Sequence, residues 1–190
     1  MISADLLLHA YRSGAFPMAA PDGDISWFSP DPRAVIPLDE RFHIPHGLGR
    51  TLKKNPFEIR IDTAFGDVMC GCADRDETWI NREILESYEA LHRIGHAHSV
   101  EAWQDGRLAG GLYGVAMGGA FFGESMFHTV TDASKVALVA LVNRLREHGY
   151  LLLDTQWATP HLRTFGTCEI SRGKYLKLLA VALQKDCQFA

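Results

Sequence analysis

The sequence predicts an α+β domain, that is, a mixed α/β fold, from two neighbouring patterns. A block of alternating, glycine-interrupted residues at 98–127 is typical of an antiparallel meander, and a long amphipathic helix pattern follows directly at 132–148. The 190 residues are 47% hydrophobic and 22% charged, which suits one domain, or one domain with a small appendage. A central sheet with helices packed against it follows from that order.

The beginning of the chain is predicted to contain one short helix and then little regular structure. Residues 3–13 show a helical pattern that Ser3 can cap and Gly14 can end. Five prolines at 15–37 require an extended, turning chain. A second stretch containing Pro and Gly follows at 43–49, so we expect no helix there.

The remainder is predicted to alternate between helices and strands. Asp105-Gly106 and Gly118-Gly119 mark turns within the meander, and Asp132 can cap the long helix. We expect a small N-terminal subdomain over 1–60 and the main domain over 61–190. Besides the meander and the long helix, the predicted elements are strands at 57–62 and 150–154 and helices at 63–73, 81–94, 160–165 and 172–183.

Composition and charge exclude several classes of function. The net charge of −4 disfavours a general polyanion binder. No apolar run is long enough to cross a bilayer, and the N-terminus lacks the features of a signal peptide. We therefore expect a cytoplasmic protein without membrane contact, and a monomer. No zinc-ligand spacing or dinucleotide motif is present, and four irregularly spaced cysteines predict reduced thiols: Cys70, Cys72, Cys168 and Cys187.

Glu124 is the most informative single residue, because it places a carboxylate in an apolar segment, Phe-Phe-Gly-Glu-Ser-Met-Phe-His at 121–128. Such a charge is costly unless it is paired, hydrated or used. In a glycine-lined cleft it would suit a cationic group of a substrate. The alternative is a strand residue that faces water and pairs with Lys135 or an arginine. Ser125 lacks the G-x-S-x-G context of a serine nucleophile.

Asp154 and Gln156 form a second candidate site at the end of the apolar strand Leu151-Leu152-Leu153. Loops at the carboxyl ends of strands are where α/β proteins place their sites. A carboxylate and an amide there could orient an amine nucleophile. The alternative is that Asp154 caps the following helix and Gln156 is only solvated.

Aromatic residues form a third candidate feature. Most of them are expected in the core, but Trp27-Phe28 precedes Ser-Pro-Asp-Pro-Arg in a loop-like segment. Aromatic rings on loops beside arginines can stack on a nucleobase.

Taken together in order, these motifs resemble those of the bacterial leucyl/phenylalanyl-tRNA–protein transferases. The resemblance runs from residue 11 to about 175. The matching segments are Tyr-Arg-Ser-Gly-Ala-Phe-Pro-Met (11–18), Trp-Phe-Ser-Pro-Asp-Pro-Arg (27–33), Thr-Trp-Ile (78–80), Ala-His-Ser-Val-Glu-Ala-Trp (97–103), Gly-Gly-Leu-Tyr-Gly-Val (110–115), Phe-Gly-Glu-Ser-Met-Phe (122–127), Ala-Ser-Lys (133–135), Asp-Thr-Gln (154–156) and His-Leu (161–162).

The resemblance implies a GNAT-like acyltransferase domain behind a small N-terminal subdomain. It implies transfer of leucine or phenylalanine, and less readily methionine, from the 3′ end of Leu-tRNA or Phe-tRNA to acceptor proteins that begin with Arg or Lys. The product would be marked for degradation by the N-degron route. No metal or coenzyme is implied.

The resemblance also implies roles for individual residues. Asp154 and Gln156 correspond to the pair that positions and helps deprotonate the acceptor α-amine, and Glu124 to a carboxylate near the cationic end of the acceptor. Trp103 would hold the terminal adenosine. Phe28 stands where many members carry a second tryptophan, which leaves a smaller stacking surface.

Two further groups complete the expected site. An apolar pocket for the leucyl or phenylalanyl side chain would use adaptable thioethers beside an aromatic ring; its expected residues are Phe121, Met126 and Met117, with Tyr113 as a further substrate contact. Phosphates of the tRNA acceptor stem would be met by cations, and the candidates are Arg33, Lys53, Lys54 and Arg82.

Two other functions fit an α+β domain of this kind. An acyl-CoA-dependent GNAT acetyltransferase would need the loop R/Q-x-x-G-x-G/A before the long helix, but the segment at 128–135 contains no glycine. A non-catalytic tRNA-binding protein would need a basic stripe, which the negative net charge disfavours.

Overall fold

A computed structural model describes residues 1–189 of the protein, and this range contains seven helices and nine strands. The helices are α1 (Ala4–Arg12), α2 (His46–Lys54), α3 (Phe65–Ala73), α4 (Arg82–Arg93), α5 (Ala133–Glu147), α6 (Pro160–Arg163) and α7 (Arg172–Ala182). The strands are β1 (Phe16–Ala19), β2 (Ile25–Phe28), β3 (Arg33–Ile36), β4 (Glu58–Ile61), β5 (Ala97–Gln104), β6 (Arg107–Met117), β7 (Ala120–His128), β8 (Leu152–Gln156) and β9 (Cys168–Ile170).

The strands form two sheets, which confirms the predicted mixed α/β class. β1 and β2 make a small hairpin, and the other seven make one sheet in the order β4-β5-β6-β7-β8-β3-β9. Within the described chain, β7 and β8 are the one parallel pair. Hydrophobic clusters cover both faces of the large sheet: α1, α3, α4 and α7 lie on one side and α2 and α5 on the other. No described helix is long and apolar enough to span a membrane.

The helix boundaries follow local capping, with one correction. The side chain of Ser3 accepts a hydrogen bond from the backbone of Leu6 and begins α1 as predicted, and Asn81 does the same for α4. Asp132 precedes α5 but makes no capping hydrogen bond, because its backbone is left-handed (φ 68°). Its carboxylate instead accepts hydrogen bonds from Lys135 and Thr51, and so ties α5 to α2.

Three features of the fold differ from the prediction. The stretch at 43–49 contains the first turn of α2, which Leu48 anchors in the core beneath α5, so tertiary packing outweighs its glycines. The short strand β9 was also missed. β3 lies between β8 and β9 in the large sheet. The division at residue 60 stays a prediction, but its assignment of 33–36 to the small subdomain disagrees with this pairing.

The large sheet opens between β7 and β8. The two strands pair in register up to Phe122 and Asp154. Just beyond that point, β7 carries an extra residue, Glu124, relative to β6, and β8 carries an extra residue, Thr155, relative to β3. Such bulges bend a strand and redirect a side chain. The two strands therefore separate at their carboxyl ends and leave a fork in the sheet.

Candidate active site

A cavity of about 360 Å³ occupies this fork. Strand residues next to the two bulges line it, and the N-terminal hairpin and the α3–α4 loop close it from one side. The lining residues are Phe16, Met18, Arg75, Trp79, Leu112, Tyr113, Gly123, Glu124, Ser125, Met126, Leu138, Leu141, Leu153, Thr155, Gln156, Trp157, Thr159, His161 and Leu162.

The lining divides between the two faces of the sheet. On the α5 face it is aliphatic and belongs to the core beneath α5; its residues are Leu112, Met126, Leu138, Leu141, Leu153 and Leu162. On the opposite face it is aromatic and polar, with Phe16, Trp79, Tyr113 and Arg75. An apolar chain could therefore bind on the α5 face of the fork, and a polar, ring-shaped group could bind on the opposite face.

Glu124 lies at the centre of this lining, in a network of neutral hydrogen-bond donors. Its Oε1 accepts hydrogen bonds from the Tyr11 hydroxyl at 2.7 Å and from the Gln156 side-chain amide at 3.3 Å. The Tyr88 hydroxyl lies 3.5 Å from Oε2 and also hydrogen-bonds to Tyr11. Burial raises the pKa of Glu124 to about 8, although the Tyr11 hydrogen bond opposes the shift. No cation contacts Glu124 among the described residues.

Asp154 lies nearby but has a different environment. It is completely buried, and both of its oxygens contact Arg33: Nε donates to Oδ1 at 2.9 Å and Nη2 to Oδ2 at 2.6 Å. The Tyr175 hydroxyl also donates to Oδ2, at 2.9 Å, and the Gln156 backbone N–H to Oδ1, at 2.9 Å. The carboxylate therefore has four donors, and its side chain is not part of the cavity lining.

Arg33 is also buried, with 1% of its surface exposed. Its guanidinium carbon lies 4.9 Å from the ring centre of Phe16 and 4.4 Å from that of Tyr175. Nη1 donates to the Gly14 carbonyl at 2.9 Å, so the ion pair with Asp154 joins the turn after α1 to the large sheet. The structure contradicts the assignment of Arg33 to a tRNA phosphate, because its charge is neutralised inside the protein.

Gln156 faces the cavity in a left-handed backbone conformation, with φ 58°. The hydrogen bond from its N–H to Asp154 holds that conformation. Because its side-chain nitrogen donates to Glu124, its amide oxygen remains available as an acceptor toward the cavity. Of the predicted catalytic pair, only Gln156 lines the cavity, and Asp154 is linked to the cavity through its hydrogen bond with the Gln156 backbone. The role of the pair toward an acceptor amine stays a prediction.

Three other predicted contacts lie outside the cavity. Phe121 packs against Phe189 beneath α5, and Met117 lies in the core at the opposite end of β6. The Trp103 ring contacts Arg60 at 4.5 Å, and its N–H donates to Glu101. Phe121 lies outside the cavity because β7 is still paired with β8 at this residue, before the fork opens. Its side chain lies in the core between the large sheet and α5. Met126 and Tyr113 do line the cavity, as expected.

The remaining predicted residues are exposed. Phe28 is 38% exposed, and its ring lies 6.1 Å from that of Trp157, which lines the cavity mouth. Lys53 and Lys54 end α2, and Arg82 pairs with Glu86 at the start of α4. All three are surface cations outside the cavity lining.

Several residues of the site were missed by sequence reasoning. Tyr11 lies on α1 and Tyr88 on α4, and helical periodicity does not show that their hydroxyls converge on Glu124. Trp79 was only part of the Thr-Trp-Ile match, although that match was the available signal for it. Arg75 and Trp157 carried no signal in a single sequence.

A cleft that joins an apolar lining to a carboxylate, an amide and aromatic rings is suited to an enzyme that holds two organic substrates together. The comparisons identify the family. A profile described as "Leucyl/phenylalanyl-tRNA protein transferase" matches residues 35–180, and one for the N-terminal domain of the same family matches residues 1–31. The chain belongs to the leucyl/phenylalanyl-tRNA–protein transferase family.

Curated relatives agree over nearly the full length. The chain is 60% identical to a leucyl/phenylalanyl-tRNA–protein transferase of Akkermansia muciniphila, with 97% of this chain and 98% of the relative covered. It is 58% identical to one of Herpetosiphon aurantiacus (99% and 98%) and 53% identical to one of Rubrobacter xylanophilus (100% and 99%).

Two solved structures of other enzymes share a remote similarity. One is the C-terminal domain of a putative lysylphosphatidylglycerol synthetase from Agrobacterium fabrum, with 13% identity, a TM-score of 0.45, and 94% of this chain and 62% of that chain covered. The other is L-PGS from Bacillus licheniformis, with 13% identity, a TM-score of 0.45, and 85% and 55% covered.

Proposed function

We propose that this protein transfers leucine or phenylalanine from aminoacyl-tRNA to the α-amine of proteins that begin with arginine or lysine. Methionine would be transferred less readily. The product would carry an N-terminal residue that directs it to degradation, and the reaction would take place in the cytoplasm. The single observation that carries the proposal is the cavity at the fork. In a member of this family, it joins an apolar pocket to a carboxylate that has no cationic partner among the described residues.

The aliphatic side of the cavity is suited to the side chain that is transferred. Leu112, Leu138 and Leu141 offer a dry surface, and the flexible thioether of Met126 can adapt to an aliphatic or an aromatic group. Charged or small polar side chains would lose hydration without gaining contacts. Leucine and methionine would be separated only weakly, because near-isosteric apolar groups differ by ~1–3 kcal/mol.

Glu124 is proposed to receive the cationic group of the acceptor. Within residues 1–189 the carboxyl group contacts only hydroxyls and an amide, so an arginine or lysine would supply its first ion pair. Hydrogen bonds between charged groups are stronger than neutral ones. Because burial raises the pKa of Glu124 to about 8, an acceptor with a neutral first residue would leave the group protonated and without an ion pair, whereas an arginine or lysine would stabilise its ionised form. This difference gives a physical basis for selection.

The chemistry requires little more than placement. The ester that joins the amino acid to tRNA is already activated, and an α-amine has a reference pKa near ~7.7–8.0. The Gln156 oxygen is positioned to accept a hydrogen bond from this amine and orient its lone pair toward the ester carbonyl. The amine attacks, the carbon–nitrogen bond forms, and the ester bond breaks to release the ribose hydroxyl, which takes up the proton that the amine loses.

The tRNA end is proposed to approach from the aromatic side. Trp79 takes the role first given to Trp103, because its indole lines the cavity, and Phe28 and Trp157 offer further rings at the mouth. A nucleobase stacks on such rings with ~1–3 kcal/mol per base. Lys53, Lys54 and Arg82 stay proposed as phosphate contacts, since each is on the surface.

Transfer of radiolabelled leucine tests the proposal. Leu-tRNA is mixed with the protein and with two peptides that differ only in an N-terminal Arg or Ala. Label on the Arg peptide, with little on the Ala peptide and no coenzyme added, is the expected result. No label on either peptide with folded protein would refute the proposed activity, and equal labelling would refute the acceptor rule.

A further inference from the structure

Two buried tyrosine hydroxyls, those of Tyr113 and Tyr150, have no hydrogen-bond partner among the described residues. Tyr150 lies in the core beneath α5 against Phe189 and does not contact the cavity. Tyr113 is completely buried yet lines the cavity. Because an unpaired buried hydroxyl is unfavourable, the position of Tyr113 points to a partner from outside the chain.

The Tyr113 side chain is held in a fixed position. Its ring makes edge-to-face contacts with Phe65 and Tyr88, at centroid distances of 5.9 and 5.7 Å. Its backbone pairs with Ser125, the residue after Glu124. Burial raises the pKa of the Tyr113 hydroxyl well above its usual value, so the group is a neutral donor and acceptor. The packing of the ring therefore fixes the position of the hydroxyl before any ligand binds.

The surroundings of Tyr113 distinguish between the two substrates. Arg75 lines the same face, and its Nη2 donates to the Ser125 hydroxyl at 3.1 Å and to the Met126 carbonyl at 2.7 Å. A fixed positive charge there disfavours the cationic side chain of an acceptor. A neutral hydroxyl in a cavity that the Trp79 indole also lines suits a nucleoside, which combines a flat ring with polar edges.

We propose that the Tyr113 hydroxyl forms a hydrogen bond with the terminal aminoacyl-adenosine of the charged tRNA while Trp79 contacts the base. The inference rests on the proposed function and assigns one polar contact within it. Tyr113 is then a substrate-binding residue that lowers the stability of the free protein, because its hydroxyl forms a hydrogen bond only in the complex.

The experiment compares Tyr113→Phe with Tyr150→Phe, which removes the other unpaired hydroxyl away from the cavity. Binding of an amide-linked, non-hydrolysable phenylalanyl-adenosine is measured by calorimetry, together with Tm and with the KM values for Phe-tRNA and for an Arg peptide. Both variants should keep the wild-type Tm or raise it by about 2–4 °C.

Only Tyr113→Phe should weaken binding of the analogue, by about 10-fold, and raise the KM for Phe-tRNA with little change in the KM for the peptide. Wild-type affinity in Tyr113→Phe would overturn the inference. So would a Tm lower by several degrees, which would mean that the hydroxyl is bonded within the protein, or a KM increase confined to the peptide. If neither wild type nor Tyr150→Phe binds the analogue or transfers the amino acid, the proposed function is refuted and this inference with it.

Discussion

Two carboxylates near the same fork, those of Asp154 and Glu124, have opposite environments. Asp154 is matched by a buried guanidinium and two further donors. In the described part of the chain, Glu124 has only neutral partners, and burial raises its pKa to about 8. A charge that is fully compensated within the fold has no capacity left for a ligand. We therefore propose that Asp154 is part of the scaffold and that Glu124 is the carboxylate that receives a substrate.

The backbone is fixed on both sides of the fork. The ion pair between Arg33 and Asp154 joins β3, β8 and the turn after α1 on one side of the cavity. On the other side, Gly114 lies beside the bulge of β7 so closely that a Cβ atom would collide with the Phe122 carbonyl. These contacts fix the strands on both sides of the cavity, and Glu124 lines the cavity between them.

Removing the charge of Asp154 should have the largest effect. Asp154→Ala leaves Arg33 as a buried, unpaired charge, and we expect the free energy of unfolding to fall by about 3–5 kcal/mol, measured by urea denaturation. The double variant Arg33→Met/Asp154→Leu should recover part of this loss. If Asp154→Ala instead keeps its stability and its affinity for charged tRNA but loses transfer, Asp154 acts in the chemistry and the comparison fails.

Removing the charge of Glu124 should affect the substrate and leave the fold intact. Glu124→Gln keeps the shape of the side chain, and we expect kcat/KM for an Arg peptide to fall about 10- to 100-fold, as for loss of a charged hydrogen bond worth ~1.5–3 kcal/mol. Stability at pH 8 should not decrease. An unchanged preference for Arg over Ala peptides would remove Glu124 from acceptor selection.

The two tryptophans sharpen the assignment of the aromatic side. Trp79→Ala should raise the KM for charged tRNA by about 10-fold or more, because stacking on a base is worth ~1–3 kcal/mol. Trp103→Ala is the matched control, since its ring contacts Arg60 outside the cavity. Steady-state kinetics measure the KM for charged tRNA in both variants. A larger increase in Trp103→Ala than in Trp79→Ala would return the adenosine contact to Trp103.

The smallest effect is expected on the aliphatic side. Met126→Leu conserves volume but removes the flexible thioether, so we expect the ratio of kcat/KM for Phe-tRNA over Leu-tRNA to fall by less than about 10-fold. Competition between the two charged tRNAs measures this ratio directly. No change in the ratio would mean that Met126 does not contact the transferred side chain.

Much of the fold was predictable, because periodicity and capping are local. The meander, α4 and α5 were expected within a few residues of their bounds. The helix α2 was not, since its sequence is rich in Gly and its stability comes from Leu48 in the core.

The candidate site divides in the same way. Glu124 and Gln156 carry chemical signals in the sequence itself. The burial of Arg33 and the convergence of Tyr11 and Tyr88 depend on elements far apart in the chain, up to 142 residues in the case of the contact between Arg33 and Tyr175. A single sequence gives no measure of such contacts.

The most direct test of the two roles is the pH dependence of stability in wild type and Glu124→Gln. A folded-state pKa of about 8, above the usual value for a glutamate, means that the native state binds a proton that the unfolded state has lost. The free energy of unfolding of wild type should therefore fall relative to the variant as the pH rises from about 5 to 8. A difference that is constant over this range, or that grows in favour of wild type, would contradict the account of Glu124 as the uncompensated carboxylate.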